Sequence, residues 1–411
     1  MAAPLTPRFY VTPGFHPSAG AGRDVIDPAT LEVVGQRADV TEPELATALG
    51  AVGRAQKAWA QVDAKSRAAM LHALAGRIET ADHTDCAILM SREMGKPYPE
   101  AIGELANCAP IFRYYAEMAR DEAGKLAGTT QAGSLQFAKY EPLGVSVHIM
   151  PFNFPILLMC WTVAAALAAG NGCVVKPAEA TTLSTLEFMK VFDGLPEGLV
   201  ACLPGGADLG AALVASEATH AVAFTGSVNA AQNVAAEAAR RMKPAVIEAG
   251  GSDPMIISAH APIDVAAAGA VTGAFHMSGQ VCTSTERMFV VEEVHDAFVE
   301  AFAAETRRLR IGNGLERSEI GPLVSEAGRQ KVERLVADAV AKGATVVCGG
   351  CIPEDQPVGW FYTPTILTDC TPDMALMQEE CFGPVVAIMK VRDFDTAILE
   401  ANASRFGLGA C

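Results

Sequence analysis

The sequence predicts an α/β protein with a doubly wound parallel sheet, and three observations carry that prediction. From residue 145 onward, short apolar runs of strand length alternate with helical stretches. Half of the residues are hydrophobic and only 19% are charged, the opposite of a disordered composition. At ~100–200 residues per domain, a chain of 411 residues provides for two or three buried cores.

The first third reads as helical. Thr41-x-x-Glu44 is a capping box that opens a helix running to about Val62, because the Thr oxygen accepts an early N–H while the Glu reaches back. Leu71, Leu74, Ile78, Ile88 and Leu89 keep helical spacing as far as Met94, where Gly95-Lys96-Pro97 breaks the run. A further helix is expected over 99–122, followed by a Gly-, Thr- and Ala-rich stretch and extended runs at 135–140 and 145–149. Strands are then expected at 173–175, 199–203, 221–224 and 245–247, with helices between them. A second α/β set starts near Met255, with helices at 263–277, 294–310 and 327–342 and strands at 287–291 and 385–390. Strand–helix alternation implies right-handed crossovers, and ligands in such sheets bind at the carboxyl ends of the strands.

Charge and composition exclude several function classes. The 31 basic and 47 acidic residues sum to −16 without a Lys/Arg block, which argues against a nucleic-acid surface. The first eight residues do not form a secretory signal. The longest apolar run, 156–169, falls short of the ~20 residues a membrane span needs and reads as a buried helix. Eleven scattered cysteines fit reduced thiols in a cytoplasmic protein, with no membrane or nucleic-acid partner expected. No metal site is expected: Cys348-Gly-Gly-Cys351 lacks a second pair, and no H-E-x-x-H occurs.

Several strand ends could carry chemistry, each beside a plainer alternative. Gly205-Gly206-Ala207-Asp208-Leu209-Gly210 only approaches the dinucleotide fingerprint and could be a simple strand-to-helix turn. Phe224-Thr225-Gly226-Ser227 precedes a helix whose free N–H groups would suit a phosphate, or Ser227 could be an ordinary N-cap. Lys176-Pro177-Ala178-Glu179 could bind ribose hydroxyls or form a solvated pair. Cys282, after Gly279-Gln280-Val281, could be a reactive thiol or a small buried hydrophobe. Glu248, before Gly250-Gly251, could act as a base or simply be solvated.

In order along the chain, six motifs resemble those of the aldehyde dehydrogenase superfamily. They are Pro151-Phe152-Asn153-Phe154-Pro155, Lys176-Pro177-Ala178-Glu179, Phe224-Thr225-Gly226-Ser227, Glu248-Ala249-Gly250-Gly251, Gly279-Gln280-Val281-Cys282 and Glu379-Glu380-Cys381-Phe382-Gly383-Pro384. Met94-Gly95-Lys96-Pro97, Ile320-Gly321-Pro322-Leu323 and Pro364-Thr365 are secondary matches, and the resemblance covers nearly the whole chain.

The resemblance implies that Cys282 attacks the aldehyde to give a thiohemiacetal, that Asn153 stabilises the oxyanion, and that Glu248 activates water to hydrolyse the resulting thioester. It further implies that Lys176 and Glu179 hold the adenosine ribose, Ser227 the pyrophosphate, and Glu380 and Phe382 the nicotinamide side, with Phe224, Gly226 and Gly250 completing the cofactor set. NAD is expected over NADP, because a carboxylate at Glu179 would repel a 2′-phosphate.

The implied division of the chain is an NAD-binding domain over 1–125 and 143–249, an oligomerisation hairpin over 126–142 and a catalytic domain over 250–411. Members specialised for succinate semialdehyde tend to carry Arg-Lys where this chain has Trp161-Thr162, so a neutral aliphatic or aromatic aldehyde is expected. The family pattern also implies a further segment after Cys411 that completes the catalytic domain and returns a strand to the oligomerisation sheet. The homodimer or homotetramer implied by the resemblance is therefore expected to be impaired in this chain. Two alternatives remain at this level: a catalytically silent cofactor-binding or assembly subunit, and a coenzyme-A-acylating dehydrogenase. The second conflicts with Glu248, which acylating relatives commonly lack.

Overall fold

The computed structural model describes residues 6–121, 124–128 and 131–411. It contains sixteen strands among these residues: β1 Arg8–Val11, β2 Phe15–Pro17, β3 Gly22–Ile26, β4 Val33–Ala38, β5 Gly124–Leu126, β6 Phe137–Lys139, β7 Val145–Ile149, β8 Gly172–Lys176, β9 Val200–Cys202, β10 Ala221–Gly226, β11 Ala245–Ala249, β12 Pro254–Ile257, β13 Arg287–Val291, β14 Thr345–Cys348, β15 Thr365–Thr368 and β16 Val385–Val391. The chain forms two compact units. One comprises residues up to Val25, Gly35–Leu89 and Ile102–Glu248; the other comprises Ile26–Val34, Met90–Ala101 and Ala249–Cys411.

The first unit carries a seven-stranded sheet in the order β11-β10-β7-β8-β9-β1-β2. β10, β7, β8 and β9 run parallel, as the strand–helix alternation predicts, while β1 and β2 add an antiparallel edge. Register pairs Phe224 with Ile149 and Ile149 with Lys176, so three of the family-like motifs start in one row at the carboxyl edge. β7 and β8 are buried throughout, which is why they read as continuous apolar runs.

The first third is less purely helical than the sequence suggests. β1 to β4 all precede the first helix, Glu42–Trp59, and their short mixed sequences carry no clear alternation. The capping box is present: the Glu44 carboxylate accepts from the Thr41 N–H at 2.7 Å and hydroxyl at 2.9 Å. The single run expected to Met94 is two helices, Ala64–Thr80 and Thr84–Met94, the first capped by the Asp63 carboxylate. The run expected over 99–122 is likewise two helices, Tyr98–Ala106 and Cys108–Met118, and Glu122 lies outside the described residues. β5 pairs with β6 in an antiparallel hairpin; residues 129 and 130 of that stretch also lie outside the described residues.

The second unit carries the sheet β12-β13-β16-β15-β14, parallel except at β14. Alternate residues of its strands feed two cores. Phe289, Val385 and Ala387 face one, and Met288, Val290, Val386 and Ile388 face the other. The sequence reading places 90–101 in the first domain, but this segment packs within the second unit. The Gly95 site abuts Pro322, with an added Cβ meeting its ring at 2.5 Å, and the Tyr98 N–H bonds the Gly314 carbonyl at 2.9 Å. The two secondary motifs around Gly95 and Pro322 therefore pack on each other. Residues 26–34 join the same unit, with the Trp360 N–H bonding the Pro28 carbonyl at 2.9 Å.

Candidate active site

In the first unit the site residues follow the carboxyl ends of the parallel strands. Asn153, 4% exposed, sits in the turn after β7. Its Oδ1 accepts the Phe154 N–H at 3.1 Å. The buried Glu104 carboxylate accepts the N–H groups of Ile156 and Leu157 at 2.9 and 3.0 Å, fixing where that turn becomes the helix Leu157–Ala168. A helix start left buried without such acceptors would be costly.

Lys176 ends β8, where its Nζ donates to the Pro177 carbonyl at 2.9 Å. Burial pulls its pKa down to about 8, with the Glu179 charge acting in the opposite direction. Glu179 lines a cavity of about 810 Å³ together with Arg37, Asp39, Gly205 and Gly206. Its carboxylate is paired: Arg37 Nη2 donates to Glu179 Oε2 at 2.5 Å. The weak glycine motif thus sits in the same cavity, with Gly206 as the N-cap of the helix Ala207–Ala215. After β10, Ser227 is the N-cap of Val228–Arg240, and its Oγ accepts the Ala230 N–H at 3.4 Å. The plain reading of that serine is therefore correct, and the remaining N–H groups of the first turn still make a helix start suited to an anion. Phe224 is buried, and a Cβ at Gly226 would meet its ring at 2.8 Å. Glu248 is exposed near the end of the edge strand β11.

In the second unit the residues around Cys282 are tightly determined. The helix Ile263–Phe275 stops short of the expected 277 because Met277, Ser278 and Gly279 all have left-handed backbone, with φ of 51°, 57° and 70°. Two consecutive non-glycine residues in that region store strain, which the surroundings must hold. Ser278 Oγ donates to the Gly321 carbonyl at 2.8 Å, and Gln280 Oε1 accepts the Val324 N–H at 2.9 Å. At Gly279 an added Cβ would lie 2.1 Å from the Gly383 carbonyl oxygen, so only glycine fits.

Cys282 is half-buried, and its thiol is pushed up by burial first and by the Asp253 charge second. The positive surroundings that would favour a thiolate are not what flank it within this unit: the other charge acting on it, that of Glu380, is also negative. Gly251 donates its N–H to Glu380 Oε1 at 3.1 Å, and a Cβ at Gly250 would strike that carboxylate at 2.4 Å. Gly250, Gly251, Cys282, Glu380 and Phe382 therefore belong to one neighbourhood of the second unit.

Sequence reasoning missed the residues that hold these in place. Glu286, four residues after Cys282, is fully buried and accepts the N–H groups of Cys381 and Phe382 at 2.7 Å each. Burial pushes its carboxyl up to about 8, and the two donors pull the other way. Arg287 donates to the Ser252 carbonyl at 2.8 Å, tying down the segment beside Gly251. Nothing local in the sequence marks Arg37, Asp253 or Glu286, since each acts on residues distant in the chain. Among the described residues no cluster of three or more His, Cys, Asp or Glu side chains could hold a metal ion, and all eleven cysteines are free. Among the same residues no helix is long and apolar enough to cross a membrane.

A parallel sheet whose motif residues follow the carboxyl ends of its strands has the layout of a nucleotide-binding fold. The aldehyde dehydrogenase family profile matches residues 15–411, and the chain belongs to that family. It is 38% identical over 390 residues to succinate-semialdehyde dehydrogenase [NADP(+)] 1 of Mycobacterium tuberculosis, covering 94% of this chain and 85% of that relative. Among solved structures, 3,6-anhydro-L-galactose dehydrogenase in complex with NADP superposes with a TM-score of 0.94 at 34% identity, covering 99% of this chain and 86% of that one. Betaine aldehyde dehydrogenase of Staphylococcus aureus in complex with NAD+ superposes with a TM-score of 0.93 at 30% identity, covering 99% and 82%. The protein is an NAD(P)-dependent aldehyde dehydrogenase.

Proposed function

We propose that this enzyme oxidises a neutral, apolar or aromatic aldehyde to the carboxylic acid through Cys282. The observation that carries the substrate class is a cavity of about 320 Å³ in the first unit, lined by Pro110, Ile111, Tyr114, Tyr115 and Trp161. Trp161 is 52% exposed although it sits on the otherwise apolar helix Leu157–Ala168. No charged side chain lines this cavity, so it offers nothing to offset the desolvation of a substrate carboxylate.

Bound NAD(P) supplies the hydride acceptor. The residues present fit such a group: a helix start preceded by Gly226, a cavity edged by Gly205 and Gly206, and Lys176 at the carboxyl edge of the sheet. Lys176 and Glu179 hold the adenosine ribose, and Phe224, Gly226 and Ser227 shape the pyrophosphate site. Gly250 leaves room for the Glu380 carboxylate, and Glu380 and Phe382 serve the nicotinamide side.

Cys282 gives its thiol proton to water, its sulfur bonds to the aldehyde carbon, and the carbonyl electron pair moves onto oxygen, giving a thiohemiacetal oxyanion. Burial first, and the Asp253 charge second, push this thiol's pKa up within the second unit. The Asn153 amide and the Cys282 N–H donate to the developing oxyanion. After oxidation to the thioester, Glu248 takes a proton from water, which attacks the acyl carbon and releases the acid with Cys282 as the leaving thiolate.

On this reading the first unit is the cofactor domain and the second the catalytic domain. The hairpin β5–β6, with Leu126 and Phe137 strongly exposed, is an oligomerisation element. The free cysteines support a reducing compartment, the cytoplasm of the sequence reading.

An aldehyde panel followed by NAD(P)H formation tests the proposal. Benzaldehyde and hexanal are expected to exceed succinate semialdehyde in kcat/KM by at least ~10-fold, the scale of one unpaired buried charge or better. A preference for succinate semialdehyde would overturn the substrate class, and turnover by Cys282→Ala would overturn the mechanism.

A further inference from the structure

Cys282 and residues 379–384 lead into neighbouring parallel strands of the second unit, β13 and β16, and one buried side chain spans the two lead-ins. Glu286, the residue before β13, is 2% exposed. Its Oε2 accepts the Cys381 N–H and its Oε1 the Phe382 N–H, both at 2.7 Å. Phe382 has left-handed backbone, with φ of 55°, which a bulky residue adopts only where its surroundings impose it. Successive N–H groups beside a left-handed residue converge on a concavity that suits an anion, and the anion here is the Glu286 carboxylate. Burial and the Glu380 charge oppose its ionisation, while the two donors and the Lys331 charge favour it. A carboxylate removed from water destabilises the fold unless it is hydrogen-bonded, whereas an apolar side chain would fill the same space without that cost. The main chain of Glu286 is also fixed: its carbonyl accepts the Ala387 N–H at 2.9 Å, and its N–H donates to the Ser284 carbonyl at 2.9 Å. The carboxylate therefore has a rigid base four residues after Cys282 and a grip on the loop that carries Glu380 and Phe382.

We propose that Glu286 is a positioning residue for the oxidation: its carboxylate sets where the 380–382 loop lies relative to Cys282, and so how the nicotinamide side meets the bound aldehyde. This rests on Glu380 and Phe382 serving the nicotinamide side. The thiol's own reactivity does not depend on that loop, so the effect of Glu286 is confined to the cofactor-dependent reaction.

The test compares NAD(P)H formation from aldehyde with cofactor-free alkylation of Cys282 by iodoacetamide, in which a sulfur–carbon bond forms and iodide leaves. Glu286→Gln keeps the size of the side chain but sets an amide NH₂ against one of the two N–H donors. It lowers kcat for NAD(P)H formation by about 10- to 100-fold, the scale of a small misplacement of reacting groups, and changes the alkylation rate by less than about threefold. Unchanged NAD(P)H formation overturns the inference. So does a fall accompanied by a larger change in alkylation, which a general loss of structure would give. Phe382→Ala separates the inference from the reading beneath it. Unchanged NAD(P)H formation in Phe382→Ala removes the assignment of the loop to the nicotinamide side and the inference with it; a fall there but not in Glu286→Gln overturns the inference alone. Hydrogen exchange supplies an arm that needs no turnover: in the cofactor-free wild type the Cys381 and Phe382 amides exchange slowly, and Glu286→Gln speeds them by about 10-fold or more. Wild-type exchange at these two amides as fast as in exposed loops overturns the inference even where the variant does not fold.

Discussion

The helix start at Ser227 in the first unit and the cysteine turn in the second are built in opposite ways. At Ser227 the chain uses an ordinary N-cap, exposed and weakly bonded at 3.4 Å, and leaves helix N–H groups for a ligand. At 277–279 three residues in succession take left-handed backbone, held by Ser278, Gln280 and the tight approach of Gly279 to Gly383. If the proposed pyrophosphate site is here, it uses a generic feature of helices that costs the fold little. The proposed role of Cys282 as nucleophile requires it to be held in one place, and its turn is over-determined.

This contrast predicts a graded series of effects. The largest is chemical: Cys282→Ala should lower kcat/KM by ~10⁴-fold or more in a coupled NAD(P)H assay, leaving cofactor binding intact. Asn153→Ala should follow, losing ~10²–10³ in kcat with little change in melting temperature. Next come the backbone effects. Gly279→Ala forces a Cβ onto the Gly383 carbonyl and should cost about 3 kcal/mol in denaturant unfolding, whereas Ser227→Ala should cost about 1 kcal/mol or less. Equal costs at the two positions would break the comparison.

The smallest effects are in pH. Lys176 has a folded pKa of about 8, below its unfolded value, so between these the unfolded chain binds more protons and this group makes stability rise with pH. Its contribution to cofactor affinity should run the other way and fall above pH of about 8, measurable by titrating NAD(P) binding. The Cys282 thiol is raised, so iodoacetamide labelling of the free enzyme should have its midpoint above the ordinary thiol range. A midpoint near neutrality would mean that positive groups reach the sulfur.

The same contrast explains what could be read from the sequence. The parallel strands β7 and β8 were legible because burial on both faces makes them apolar throughout, and the motif residues because they sit at the ends of such strands. The short strands β1, β2 and β14 were not, being three or four residues long with mixed exposure. Residues that act over long separations were invisible: Arg37 meets Glu179 across 142 positions, and Glu286 meets Phe382 across 96. The left-handed run at Met277 and Ser278 also escaped, because helical spacing continues through it in the sequence while the backbone does not.

The central claim is that Cys282 carries the acyl group, and the most direct measurement is mass spectrometry of the Glu248→Gln variant mixed with aldehyde and NAD(P). With its base removed, the variant should accumulate the substrate's acyl group as a thioester on the peptide containing Cys282. Absence of an adduct despite NAD(P)H release, or an adduct on another residue, would contradict the account.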